Sequence, residues 1–207
     1  MDLPTKEKYL RLQMMTEFEL RIKRLLEKQE KVANNKDLST SEIILALELF
    51  TVPLIKQYRA FSDKYYSMYV SLISNSDKTG YTKADNWIKQ HSVDFGNWVQ
   101  GTTLKEFKNE NTFSDSRIKD IVRTETNELC QLATLDGFYR EGYTRKKWIA
   151  FLDKKARDSH IAANGQIKRL DEPFCIGDSL LMFPQDSSMG ASAKEIVNCR
   201  CIMQPVK

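Results

Sequence analysis

Turn-forming residues are spread unevenly along this chain, and the unevenness limits what it can fold into. Gly165, Pro173, Gly177, Pro184 and Gly190 fall within 26 residues, with only brief apolar runs between them, Phe174-Cys175-Ile176 and Leu180 to Phe183. Runs so short suit strands of a small, loop-rich unit better than helices. Lys147 to Leu152, around Trp148, is a run of strand formers ahead of them, and a last apolar run lies within Glu195 to Met203. Residues 1 to about 142 carry helical spacing instead. The expected class is α+β: a mainly helical N-terminal part, residues 1–117, and a C-terminal module of short strands and loops, residues 118–207.

In the helical part, Leu10, Met14, Met15, Phe18, Ile22, Leu25 and Leu26 recur in steps of three and four, which predicts one long amphipathic helix over Thr5 to Lys31. Ser39-Thr40-Ser41-Glu42 has capping-box spacing and opens a second helical region reaching Ile73, which Pro53 should kink or divide. Between Ile43 and Ile55 that region is apolar nearly all round, so its own chain or another protein must cover it. Tyr58, Phe61, Tyr65, Tyr66, Met68 and Tyr69 continue it as packing aromatics. Shorter helices carrying Trp87 and Trp98 are expected to separate near Ser92 to Gly96. Ser114-Asp115-Ser116 can cap a further helix to about Tyr139, with Ile118, Ile121, Val122, Leu129, Leu132 and Ala133 inward and Gly142 as its stop.

Lys plus Arg total 32 against 28 for Asp plus Glu, a net +4, which argues against a dedicated nucleic-acid binder on charge alone. No run approaches the roughly 20 apolar residues of a membrane span; the best, Ile43 to Leu47, ends at Glu48. The opening residues Met1 to Lys6 lack a basic-then-apolar leader pattern, and four cysteines then point to a reducing cytoplasm, where thiols or a metal are favoured over disulfides.

The unusual residues stand in an ordered string. Arg123-Thr124-Glu125 comes first, then Trp148, Arg157-x-x-His160 and Gly165. Phe174-x-x-Gly177 and Pro184-x-Asp186 follow, and Asn198-Cys199-Arg200-Cys201 closes it. This string, over roughly Ile118 to Met203, resembles the phage Mu F-like minor head proteins, also described as phage head morphogenesis proteins. The resemblance implies a non-enzymatic protein made in the host cytoplasm during assembly and then held in the virion, inside the capsid at the portal vertex. It implies the portal protein as partner, with scaffold or major capsid protein and packaged double-stranded DNA as further contacts, in head assembly and in genome packaging or ejection. The first 117 residues show no such motif and are read as particle-specific.

His160, Cys175, Cys199 and Cys201 form a candidate Cys3His set for Zn2+, since thiolates and imidazole suit a tetrahedral ion. Asp158 or Asp186 can stand in for Cys175. The alternatives are buried reduced thiols beside a histidine that orders the Asn164-Gly165 turn, or a disulfide formed outside the cell. A host-acting nuclease or transferase would use His160 as base and Cys199 or Ser159 as nucleophile, but the sequence identifies no orienting carboxylate. Arg145, Lys146, Lys147, Lys154 and Lys155 are candidate DNA contacts, as for a DNA-binding accessory factor, or else the lysines of a solvated strand edge. The long first helix and the Ile43 to Ile55 segment are the better candidates for laying an apolar face in a portal groove.

Overall fold

The computed structural model describes residues 3–108 and 115–207, and it is α+β. Five long helices come first: α1 (Leu3–Ala33), α2 (Thr40–Glu48), α3 (Thr51–Ile73), α4 (Ala84–Lys108) and α5 (Asp115–Arg140). The short elements follow: β1 (Arg145–Ile149), α6 (Asp158–Ala162), β2 (Ile167–Arg169), β3 (Phe174–Ile176), β4 (Ser179–Leu181), α7 (Ala193–Ile196) and β5 (Ile202–Val206).

The α1 stripe is buried as its spacing requires, through Leu10, Met14, Phe18, Ile22 and Leu26. It meets the aromatic face of α3, where Tyr58, Phe61, Tyr65 and Tyr69 are buried; Phe18 stacks on Phe61 with centroids 4.3 Å apart. The capping box forms: Ser39 Oγ accepts from the Glu42 amide and the Glu42 carboxylate accepts from the Ser39 amide. The division falls at Leu49 and Phe50, so Pro53 sits in the first turn of α3, where its missing donor costs little. Ile43, Leu47 and Leu54 are buried, but Leu45, Leu49 and Val52 point to solvent.

The expected break near Ser92 to Gly96 does not occur, and α4 runs through it. Close helix packing explains the glycine. A Cβ at Gly96 would lie 2.4 Å from Ile55 Cγ1 and 3.2 Å from the Thr51 carbonyl oxygen, so the missing side chain lets α4 approach α3. The proposed cap at Ser114 lies outside the described residues. The far end of α5 behaves as expected: Gly142 has φ +76°, Gly142 N–H donates to Tyr139 O, and Tyr143 N–H donates to Phe138 O, a Schellman stop. Helix α5 packs on α1 and α3 and also on β5, while its expected inner face is buried throughout.

The strands form an antiparallel sheet in the order β2-β1-β5, with Trp148 opposite Met203, and a separate β3-β4 hairpin. Central β1 alternates strictly: Lys146, Trp148 and Ala150 are buried and Arg145 is exposed. The strand-edge reading of the lysines therefore fails, because both sides of β1 are paired. The last apolar run divides into α7 and β5, joined by the Asn198 to Cys201 turn.

Candidate functional site

The Asn-Cys-Arg-Cys turn is tied to α5 by the Arg-Thr-Glu helix. Asn198 adopts φ +57°, a left-handed conformation that asparagine tolerates better than most residues. Its side-chain oxygen accepts from Arg123 (3.0 Å), its amide nitrogen donates to Asp120 Oδ1 (3.2 Å), and its backbone N–H donates to Thr124 Oγ1 (3.4 Å). Arg157 donates to the Val197 carbonyl, and Arg200 binds Asp153 through both guanidinium nitrogens at 2.6 Å. These contacts fix the turn so that Cys199 and Cys201 face inward.

His160, on α6, meets them there. Its Nδ1 lies 3.3 Å from Cys201 Sγ and 3.6 Å from Cys199 Sγ, and all three residues are buried. On the other side of the ring, Nε2 lies 3.0 Å from Glu195 Oε2, which also accepts from Ser159 Oγ at 2.7 Å. The Glu195 carboxylate and the two sulfurs thus hold opposite nitrogens of one imidazole ring. Cys201 is drawn down to about 5, first by the hydrogen bond from the Cys199 thiol and then by His160, while Cys199 is pushed up by the same pairing. A cleft of about 400 Å³ opens beside the two sulfurs, lined by Arg123, Arg157 and Asn198.

The other motif residues build the frame. Trp148 is buried edge-on to His160 (5.8 Å) and Phe174 (5.3 Å). Gly165, at φ +84°, donates to the Trp148 carbonyl at 2.8 Å. Gly177, at φ +55°, brings the hairpin turn to Glu195; a Cβ there would lie 3.2 Å from Glu195 Oε1. Buried Pro184 leads into Asp186, whose carboxylate accepts from Trp87 Nε1 (3.2 Å), the Met182 amide (2.8 Å) and the Ser188 amide (3.0 Å).

Two expectations are corrected. Cys175 stands exposed on β3, whose alternation sends Phe174 and Ile176 inward and turns the thiol out, so the cluster is His160, Cys199 and Cys201. Exposed Asp158 is not in that cluster, and Asp186 is occupied in its own turn. Lys146 is buried, donating to the carbonyls of Leu170 (3.0 Å) and Met182 (2.7 Å), and cannot reach a phosphate. Arg145, Lys154 and Lys155 are exposed and Lys147 is half-buried.

Glu195 is the orienting carboxylate that no spacing revealed, since 35 residues separate it from His160. A second cluster also escaped notice. His91 Nε2 lies 2.7 Å from Glu125 Oε2 and 3.6 Å from Glu128 Oε2, all three buried between α4 and α5. Ser187 donates to Glu128 through both its backbone N–H (2.8 Å) and its hydroxyl (2.9 Å). Burial pushes Glu128 up to about 8; burial opposes the rise of His91 to about 9, but the two carboxylates outweigh it. Glu125 and Glu128, three apart on one helix face, were the available signal.

A helical bundle carrying a small strand module, closed by a His and Cys cluster and anchored by an Arg-Thr-Glu helix, defines the class: the chain belongs to the Phage Mu protein F like family, which matches residues 88–204. That family places it among phage head morphogenesis proteins. Over 117 residues the chain is 33% identical to the uncharacterized protein YqbB of Bacillus subtilis (strain 168), an alignment covering 51% of this chain and 37% of that protein. The match therefore spans little more than a third of that relative's length. No solved structure matches the chain. No described helix is long and apolar enough to cross a membrane.

Proposed function

We propose that this protein is a minor head protein that docks on the portal inside the capsid and acts in head assembly, and in genome packaging or ejection, by binding. The observation that carries this reading is an exposed apolar row across the α2–α3 junction: Leu45, Leu49 and Val52 are 63%, 71% and 55% exposed. Leu45 and Leu49 are four apart at the end of α2, Val52 follows in the first turn of α3, and exposed apolar side chains gathered at one junction suit an interaction surface. The family motif, by contrast, is used internally to hold the Asn198 turn. The portal protein is the proposed occupant of the row, with scaffold or major capsid protein as further neighbours. Packaged double-stranded DNA would meet Arg145, Lys147, Lys154 and Lys155. The protein would assemble in the host cytoplasm and remain in the virion at the portal vertex. Co-expression with the portal of its own phage tests this. A stable complex is expected, weakened at least tenfold by Leu45→Asp with Leu49→Asp at unchanged helical circular dichroism. Absence of a complex, or a variant that still binds, rejects the reading.

We also propose that His160 Nδ1, Cys199 and Cys201 hold Zn2+. The residues fit: bond lengths of 2.0–2.3 Å put N and S ligands of a tetrahedral ion about 3.6 Å apart, and the observed separations are 3.3 and 3.6 Å. Glu195 then supplies the outer carboxylate that orients a ligating imidazole. The ion would contribute a cross-link between α6 and the Asn198 turn. One zinc per chain is expected, lost in Cys199→Ser with Cys201→Ser.

A second reading has specific support in the same atoms. Cys201, His160 and Glu195 align as thiol, imidazole and carboxylate, the order a thiol nucleophile requires. Zinc-free protein whose Cys201 is alkylated fastest, with the rate falling in Glu195→Gln, would favour that reading over the metal.

A further inference from the structure

We propose that His91, Glu125 and Glu128 form a second metal site, for a divalent first-row transition ion held by one imidazole nitrogen and two carboxylate oxygens. The three side chains present one donor atom each, all within 4.8 Å of one another. Their separations from His91 Nε2, 2.7 and 3.6 Å, straddle the roughly 3.3 Å expected between N and O ligands on such an ion. One imidazole beside two buried carboxylates is a donor set that a dication neutralises, and the imidazole selects transition ions over Mg2+ or Ca2+.

Two further features point to a ligand. The cluster forms one wall of a cleft of about 610 Å³ between α4, α5 and the segment around Ile196, so positions on a bound ion not taken by protein would face open space. Among the described residues the fully buried Tyr58 hydroxyl makes no hydrogen bond of normal geometry, although Ser62 and Glu125 lie near enough to act on it; its ring lies 5.1 Å from that of His91. A water carried by the ion would give such a hydroxyl a partner. Ser187, bonded to Glu128 and 3.1 Å from His91 Nδ1, holds both ligands from outside in the way metal-binding side chains are commonly braced. The site is separate from the thiol cluster and does not depend on portal docking.

Co2+ added to chelator-stripped Cys199→Ser, Cys201→Ser protein tests the assignment by visible absorption. One Co2+ per chain is expected, with d–d bands, no sulfur charge-transfer band, and a raised melting temperature. Glu128→Gln should weaken binding at least tenfold and abolish the melting shift. If that variant fails to fold, Glu125→Gln carries the same comparison. If the doubly substituted background fails to fold, the unsubstituted chain should show the sulfur-free cobalt spectrum at a second equivalent. Absence of bound Co2+, or binding within a factor of two in both glutamine variants, overturns the proposal and leaves a proton-shared His–Glu–Glu cluster.

Discussion

Lys146 shows how a single residue can escape a reading by composition. Among the lysines and arginines from 145 to 157 it looks like one more surface charge, yet the period-two geometry of β1 turns it inward with Trp148. Two carbonyl oxygens and the Phe174 ring, 5.2 Å away, receive the ammonium. Burial pulls its pKa down to about 8, against a weaker upward pull from Asp186, Asp171 and Glu172. Between about pH 8 and 10.5 the unfolded chain therefore binds the proton that the folded chain has released, and stability rises with pH across that window. Urea midpoints measured from pH 7.5 to 10.5 should show this rise, and Lys146→Met should flatten it. Asp186 is a second case, with the buried Trp87 indole and the amides of half-buried Met182 and exposed Ser188 converging on one carboxylate. Asp186→Ala strands these donors at roughly 1–3 kcal/mol each for the buried ones, so a loss of about 3 kcal/mol is expected in chemical denaturation. The Pro-x-Asp pattern flagged this position, whereas the partners Trp87 and Ser188 became visible only in three dimensions.

At the scale of elements, α4 holds two glycines with opposite environments. Gly96 faces α3 at contact distance, while nothing lies within 4 Å of a Cβ built at Gly101. Gly101→Ala should stabilise the protein by up to ~1 kcal/mol, the ordinary helix preference of alanine. Gly96→Ala should destabilise it by about 1–3 kcal/mol, because overpacking against Ile55 outweighs that preference. Thermal melting of the pair decides whether close packing is the reason for Gly96. Ser39→Ala should cost about 1 kcal/mol through the lost cap. The helices themselves were legible because their apolar periods are long, and the Ser39 and Gly142 boundaries because each carries its own local chemistry. Gly96 misled because a glycine that breaks a helix and one that admits a neighbour look identical in one dimension.

For the whole molecule, the expected α+β arrangement holds, and the motif string proves to be the scaffold of one corner. Arg123 and Thr124 grip Asn198, Glu125 faces His91, and Gly177 admits Glu195. His160 with Cys199 and Cys201 was foreseeable from residue type, but Glu195 was not, since an acid in a charged run carries no mark of burial. If zinc closes this corner, removing it with a chelator should lower the melting temperature by several degrees, at about 2–4 °C per kcal/mol for a chain of this size. His160→Ala should show the same lower value with or without chelator.

The outward turn of Cys175 has a practical corollary. Cys130, Cys199 and Cys201 are buried, so the folded protein offers a single solvent-facing thiol, on the β3–β4 hairpin. A maleimide-linked gold cluster or spin label placed there would give the strand module one covalent address. In an assembled phage head that address would report where the module sits.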